Sequence, residues 1–290
     1  MKIATVGFHY GTARLDGILE NHLKSLRWQK RQPDEIIIVD EAYNEDSSSA
    51  ERIRETLSHL CHKYGARLIQ IEPRPEDRYW NKPRAVNAGV RRTSEDIDIV
   101  INLDLDMVLH PSLLESVHQS FQQDPASFVM CWNRSLPEPV ELPDSFDPKA
   151  WKDLAAKSIF IPRGTKEKPI QFHPVGPASQ STGCLQAATR AWWHKVRGYD
   201  EDFSGPGGKD GDLARRAELA HRWRVWLGWG EGPDSLLLHQ YHAGRTTHED
   251  DSEQAKELKA CARVNSKHSI LRCMARKIIR NDENWGAWGS

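Results

Sequence analysis

The feature that most constrains this chain is its N-terminal part, where apolar strand-like runs alternate with stretches of helical periodicity. The sequence predicts strands at 2–8, 34–42, 66–73, 98–109 and 126–132, with helices between them at 15–30, 48–65, 81–93 and 111–124. Runs such as "DEIIIVDEA" are continuously apolar, which is typical of strands covered on both faces. The pattern therefore predicts an α/β fold with a mostly parallel central sheet and helices on both faces.

The periodicity is weaker after Trp132. Residues 135–177 are rich in proline and lysine and are expected to form loops with one helix near 149–157. The later elements are a strand and helix within 181–203, a helix at 212–223, a strand at 235–242 and a basic helix at 252–280.

Composition excludes several classes of protein. The formal net charge of -1 gives no overall attraction to nucleic acid. Five scattered cysteines without a CxxC spacing indicate neither a zinc site nor a disulfide framework, and a reducing cytoplasm is the expected location. No apolar run is long enough to predict a membrane span, and the N-terminus does not resemble a signal peptide.

Acidic residues follow two of the predicted strands. Asp40 ends "IIIVD", and Asp104 and Asp106 end the run "DIVINLDLD". In a parallel sheet, ligands bind beyond the carboxyl ends of the strands. Two carboxylates at positions i and i+2 can approach one Mg²⁺ or Mn²⁺ ion if the chain turns there. Ordinary solvated acids at strand ends are the alternative.

Two histidines close another apolar run, "LLLHQYH". His239 and His242 are three residues apart, so an extended chain would point them in opposite directions. One of the two, with His239 favoured, is therefore predicted to complete a metal site. An imidazole beside carboxylates favours Mn²⁺ over Mg²⁺.

The glycine-rich stretch "FSGPGGKDGDLARR" invites comparison with a phosphate-binding P-loop. That motif needs a glycine five positions before the Gly-Lys pair and a hydroxyl residue after it. With Gly208 and Lys209 as the pair, those positions hold Phe203 and Asp210. The stretch is therefore not a P-loop, and Asp212 is expected to cap the helix that follows.

Other candidates have two interpretations each. Arg84 and Asn87 share a helical face and could contact a nucleobase or phosphate, or form a surface ion pair. Adjacent Trp192 and Trp193 cannot share a helical face, so one is free to stack on a sugar. Trp80 is a second stacking candidate, whereas Trp223, Trp226 and Trp229 are expected in the core.

These motifs together resemble a known family. "EIIIVDE", "KPRAVNAGVRR" and "INLDLDMVLHPSLL" look like the N-terminal half of family-2-type glycosyltransferases with the GT-A fold. The stretch "STGCLQAATRAWWHKVRGYDEDFSGPGGKDGDLARR" resembles the galactosyltransferase-like segment of related enzymes. The likeness covers residues 2–245.

The resemblance implies an inverting, metal-dependent transfer of a sugar from a nucleotide-diphosphate sugar, most simply a UDP-sugar, to a hydroxyl of a glycan or other acceptor. The implied donor-site residues are Asp40, Arg84, Asn87, Asp104, Asp106 and Gly183. Asp106 and His239 match metal ligands, and Asp210 matches the general base. Trp192, Trp193 and Lys209 are the acceptor-site candidates. Lys209 stands where the family has a glutamate, which leaves the acceptor contacts open.

The implied organisation is a nucleotide-sugar-binding half at 1–132, an acceptor-binding half at 133–250 and a basic helical extension at 251–290. The extension either packs on the domain with a solvated basic face or contacts the inner face of the membrane. Two other functions remain open: a nucleotidyltransferase acting on sugar phosphates, and an inactive carbohydrate-binding protein of the same fold.

Overall fold

A computed structural model of the chain describes residues 1–10, 15–41, 47–159, 183–228, 236–242 and 252–287. The strands are β1 (Ile3–Tyr10), β2 (Glu35–Glu41), β3 (Arg67–Ile71), β4 (Ile99–Leu103), β5 (Met107–Leu109), β6 (Ser127–Cys131), β7 (Arg134–Ser135), β8 (Leu185–Thr189), β9 (Trp223–Leu227) and β10 (Leu237–His239). The helices are α1 (Glu20–Arg27), which follows a π-helical turn at Leu15–Leu19, α2 (Ser47–Tyr64), α3 (Lys82–Arg91), α4 (Leu113–Gln123), α5 (Pro148–Lys157), α6 (Arg190–Val196), α7 (Lys209–Leu219) and α8 (Glu253–Met274). Trp229 lies outside the described residues.

Two sheets organise the described part of the chain. The larger has seven strands in the order β3-β2-β1-β4-β8-β6-β9, and the smaller has the order β5-β10-β7. In the larger sheet β3, β2, β1 and β4 are parallel, β8 is antiparallel to both its neighbours, and β9 is parallel to β6. The predicted mostly parallel sheet is confirmed.

Helices cover both faces of the large sheet. On one face, buried leucines and other apolar residues of α1, α2 and α4 form a core with β1 and β4. On the other face, α3, α6 and α7 form a second core, which also takes in Trp285 from the C-terminal segment. This arrangement explains the continuously apolar strands, because both faces are removed from water.

The predicted strand at 98–109 is two strands in different sheets. β4 pairs with β1 and β8 in the large sheet, whereas β5 pairs with β10 in the small one. The chain turns between Leu103 and Met107, and this turn contains Asp104 and Asp106. The turn on which the metal prediction depended is therefore present.

The helix predicted at 212–223 is displaced. α7 begins at Lys209 after Gly208, which has a φ of 78°, and it ends at Leu219. Asp212 is therefore not a cap: it lies inside the first turn, where it pairs with Arg216 at 2.7 Å. Trp223, predicted to be core, begins the unpredicted strand β9 and is 71% exposed.

None of the helices in the described ranges combines the length and the apolar composition needed to cross a bilayer.

Candidate active site

A cavity of about 230 Å³ opens where β1 and β4 end. We call it the strand-end cavity. Its polar lining residues are His9, Lys82, Asp104, Asp106, Lys209 and Asp210, and its aromatic ones are Phe8, Tyr10 and Trp80. The carboxyl ends of parallel strands share one edge of a sheet, so residues far apart in the sequence meet here.

Asp106 meets both histidines of "LLLHQYH". The Nε2 atoms of His239 and His242 lie 3.4 and 3.3 Å from Asp106 Oδ2. Ligand atoms of these three residues all lie within 4.8 Å of one another, the one such group found among the described residues. The sequence-based expectation of a single ligating histidine assumed an extended chain, but β10 ends at His239 and the chain beyond it brings His242 to the same carboxylate.

The environment of these residues fits a divalent cation. Both ring nitrogens of His242 and Nδ1 of His239 are buried without a hydrogen-bond partner in the part of the chain that the structure describes. Buried imidazoles normally find partners, and one carboxylate with two imidazoles is a donor set suited to Mn²⁺. These three residues therefore fit the predicted divalent cation.

Asp104 does not join that group but pairs with Lys82, which the sequence analysis missed. Lys82 Nζ lies 2.5 Å from Asp104 Oδ1 and 3.6 Å from Asp210 Oδ1. Burial lowers the pKa of Lys82, but Asp104 and Asp210 outweigh it, so the net pKa is well above the usual value. The ammonium is therefore a permanent cation between two carboxylates.

The start of α3 holds Lys82 in place. The Asn81 side chain caps the helix by accepting from the Arg84 N–H at 3.0 Å. The Asn81 N–H in turn donates to buried Glu41 Oε2 at 2.7 Å. The sequence signal for this arrangement was the asparagine before a proline-containing first turn.

Asp210 lies in the first turn of α7 and lines the same cavity as Asp106. Its carboxylate is 23% exposed, and its backbone carbonyl accepts from Gln186 Nε2 at 2.9 Å. Tyr199 is buried beside it, and burial raises the pKa of the phenol well above its usual value. Asp210 is thus a partly exposed carboxylate anchored by its backbone to β8.

Lys209 bonds to the glycine-rich loop. Its Nζ donates to the Gly205 carbonyl at 2.8 Å, and the side chain is buried. Burial and the nearby Lys82 lower its pKa, although Asp210 and Asp104 oppose this. The lysine at this departure from the family pattern therefore braces the glycine-rich loop.

Asp40 does not line the cavity but pairs with His9, which does. The parallel register of β1 and β2 places His9 opposite Asp40, and His9 Nδ1 lies 2.7 Å from Asp40 Oδ1. Asp40 is buried, whereas His9 lines the cavity. His9 Nε2 is buried without a hydrogen-bond partner among the described residues. Beside it, Tyr10 and Trp80 stack with ring centroids 4.5 Å apart.

Arg84 and Asn87, the other donor-site candidates, do not line the cavity. Arg84 Nη1 donates to the Glu72 carbonyl at 2.6 Å. Asn87 is fully buried, and its amide joins the Tyr199 backbone to Glu201 Oε1. Asn87 therefore joins α3 to the "GYDE" segment, whereas Arg84 contacts the end of β2 through Glu41 at 3.8 Å.

Trp192 and Trp193 are both buried in the core beneath the large sheet. Trp193 Nε1 donates to the Val100 carbonyl of β4 at 3.1 Å, and Trp192 packs edge-on against Phe128 of β6. The two adjacent indoles do point in different directions from α6, as expected. Both directions are covered by the protein, so neither ring is exposed. Neither indole is placed to contact an acceptor.

Comparisons with known proteins point to one class. Residues 16–142 match the model of Glycosyl transferase family 2, and residues 168–225 match a model described as the N-terminal domain of galactosyltransferase. No curated protein sequence matches the chain significantly.

Several solved structures share the fold. TarS from S. aureus aligns with a TM-score of 0.51 and 12% identity over 83% of this chain and 60% of that one. The mannosyltransferase PcManGT from Pyrobaculum calidifontis was solved with GDP-Man and Mn²⁺. It aligns with a TM-score of 0.54 and 16% identity over 93% of this chain and 64% of that one. GalNAc-T7 was solved with UDP, GalNAc and Mn²⁺. It aligns with a TM-score of 0.55 and 15% identity over 93% of this chain and 50% of that one. The chain spans less than two thirds of each of these proteins.

The chain has the GT-A fold of these glycosyltransferases. Residues 16–142 are similar to family 2 glycosyltransferases, and residues 168–225 are similar to a galactosyltransferase segment.

Proposed function

We propose that this enzyme transfers a sugar from a UDP-sugar to a hydroxyl group of a glycan or other acceptor, with inversion at the anomeric carbon and with Mn²⁺ as cofactor. The observation that carries the proposal is the composition of the strand-end cavity. Asp106, which lies beside His239 and His242, lines this cavity together with Lys82 and the partly exposed carboxylate of Asp210.

The donor diphosphate would lie beside Asp106 and Lys82. Asp106, His239 and His242 would hold the cation, which supplies positive charge to the leaving diphosphate. Lys82 adds a second fixed cation, because its ammonium stays protonated beside Asp104. Positive charge that is already in place where negative charge develops usually makes the largest single contribution to lowering the barrier of such a transfer.

The nucleobase would lie against His9 and the stacked pair of Tyr10 and Trp80. An ionised carboxylate only accepts hydrogen bonds, so Asp40 holds His9 with its proton on Nδ1. In the neutral ring Nε2 is then an acceptor, and uracil offers it the N3–H donor. Asp40 thereby contributes to base recognition indirectly, and Arg84 and Asn87 are left out of the proposed donor site.

Asp210 would act as the general base. It would take the proton of the acceptor hydroxyl while that oxygen bonds to the anomeric carbon and the bond to the diphosphate oxygen breaks. A base and a leaving group on opposite sides of the sugar give inversion. Glycosyltransferases of this fold do not need the basic glycine-rich loop after β1 that a nucleotidyltransferase requires, and the sequence there has only a sparse version of it.

Substitution of the base tests the proposal. Asp210→Asn should lower transfer by at least about 100-fold, the usual contribution of general base catalysis. Mn²⁺-dependent binding of UDP, measured by calorimetry, should persist. Asp153→Asn, an exposed helical aspartate on α5, is the matched control and should leave both quantities unchanged. Normal turnover in Asp210→Asn would refute the assignment.

A further inference from the structure

Helix α8 lies outside both matched segments and has two unlike faces. The inner face is built of small or polar residues, of which Ala255, Asn265 and Ser269 are buried. Asn265 Nδ2 donates to the carbonyls of Ser204 and Pro206 at 2.9 and 2.8 Å. This face holds the glycine-rich loop that forms one wall of the strand-end cavity.

The outer face carries large apolar side chains. Val264, Ile270, Leu271 and Met274 are 66%, 50%, 55% and 74% exposed. At 100° per residue these positions fall within about 120° of the helix circumference. The apolar periodicity of 252–280 suggested a face buried on the domain, but the structure turns these four residues outward.

Beyond its first two turns, which contain Glu253 and Glu257, this helix carries charge of one sign. From Leu258 to Asn281 the sequence has seven lysines and arginines and no acidic residue. Arg272 pairs with Asp200 and Asp202, and Arg280 approaches Asp212, so these two charges are used inside the protein. Arg263 and Lys267 are exposed on the same arc as the apolar residues, and Arg276 and Lys277 are exposed just beyond the helix.

We propose that the outer face of α8 docks on an anionic membrane surface, with Val264, Ile270, Leu271 and Met274 entering the headgroup boundary and Arg263 and Lys267 contacting acidic lipids. Helices that lie in the membrane interface bury exposed apolar side chains at the headgroup boundary and bind anionic lipids through basic ones. Anionic headgroups match a cationic segment that has no acids of its own.

A second copy of the chain fits this face less well. A two-fold symmetric interface places the same patch opposite itself, so Arg263 and Lys267 would meet their own copies. Like charges brought together in an interface oppose association. The like charges of Arg263 and Lys267 within this patch therefore favour lipid over self-association.

Sedimentation with lipid vesicles tests the proposal without any use of catalysis. The protein should sediment with vesicles of phosphatidylcholine containing 30% phosphatidylglycerol, and much less with phosphatidylcholine alone. Arg263→Gln with Lys267→Gln should weaken the partition roughly 30-fold, as expected for two lost basic contacts of about 1 kcal/mol each. Val264→Ser with Leu271→Ser and Met274→Ser should weaken it at least as much.

Matched controls separate this face from the rest of the surface. Lys152→Gln with Lys157→Gln removes two exposed charges from α5, and Ile159→Ser removes an apolar side chain that is 49% exposed. Both control variants should bind as the wild type does, and circular dichroism should show all variants folded. Absence of binding to the anionic vesicles, or equal binding by the α8 variants, would overturn the proposal. So would a dimer in sedimentation equilibrium that the triple serine variant abolishes.

Discussion

Gly183 leaves the space that the carboxylate of Asp210 occupies. A Cβ built on Gly183 would overlap Cγ and both carboxylate oxygens of Asp210. Gly183 lies two residues before β8, and Asp210 lies in the first turn of α7. The missing side chain on one segment therefore leaves room for the acid on the other. Gly183→Ala should therefore displace the proposed base and lower transfer by about 100-fold, the scale of a general base contribution. Steady-state transfer kinetics would measure this.

Gly211→Ala is the matched control for that substitution. A Cβ at Gly211 would meet only the end of the Arg215 side chain, at 3.5 Å. Transfer by this variant should stay within about twofold of the wild type, because the added methyl group meets no close neighbour and alanine is the better helix former. Equal activity of both variants would show that the position of Asp210 does not matter for transfer.

Lys82 should set the pH range of the reaction. Its ammonium lies 3.6 Å from Asp210 and favours the ionised carboxylate. Lys82→Met should move the acidic limb of the kcat–pH profile to higher pH and weaken Mn²⁺-dependent UDP binding, whereas Lys82→Arg should restore part of both. A merely structural lysine would lower activity without moving the profile. An unshifted limb in Lys82→Met would contradict the role.

His22 should make folding stability depend on pH. It is buried with Nδ1 2.8 Å from the Met107 carbonyl, and burial lowers its pKa from 6.5 to about 4. The unfolded chain therefore takes up a proton near pH 6.5 and the folded protein does so only near pH 4. The stabilisation is complete above pH 6.5 and is lost as the pH falls to 4, by about 3 kcal/mol at about 1.4 kcal/mol per pH unit.

Urea unfolding between pH 7.5 and 4 would measure that dependence. His22→Asn keeps a donor for the Met107 carbonyl but cannot be protonated, so its stability should fall less steeply over this range. His59→Asn changes an exposed histidine of α2 and should follow the wild-type curve. Parallel curves for the wild type and His22→Asn would contradict the account.

Asn265 should order the glycine-rich loop. A Cβ at Gly207 would lie 2.8 Å from the backbone of Ala262, so α8 and the loop are already in close contact. Asn265→Ala removes two hydrogen bonds to the loop and should raise amide hydrogen exchange across 204–210, lowering kcat while UDP binding stays near the wild-type value. Ser266→Ala, on the exposed side of α8, should change neither. Unaltered exchange in Asn265→Ala would show that the loop is held by other contacts.

The central sheet could be predicted because each of its first strands is apolar enough to be buried on both faces. The small sheet could not. β5 and β10 are three residues each, and β7 is two, so their pairing depends on tertiary contacts rather than on a local pattern. The predicted helix ran to residue 223, whereas α7 ends at Leu219 and the unpredicted strand β9 begins at Trp223.

Candidate residues could be predicted where chemistry follows a strand, as for Asp106 and one of the two histidines. The approach of the second histidine to Asp106 could not, because it depends on the chain beyond β10. The site was not predictable where a side chain acts through a partner: nothing local to Asp40 shows that His9 stands between it and the cavity. The sequence also gave no reason to prefer Lys82 over Lys209. The two lysines differ only in the structure, where one points to the carboxylates and the other to the Gly205 carbonyl.

Release of nucleoside diphosphate from a panel of UDP-, GDP- and dTDP-sugars is the most direct test of the proposed reaction. With Mn²⁺ and a hydroxyl acceptor, the wild type should release UDP from at least one UDP-sugar. Release should fall to background with EDTA and return when Mn²⁺ is restored. His242→Ala, which removes one of the two imidazoles beside Asp106, should lower release and weaken Mn²⁺ binding. Absence of release from every donor, or release that EDTA and His242→Ala leave unchanged, would contradict a metal-dependent glycosyl transfer at this site.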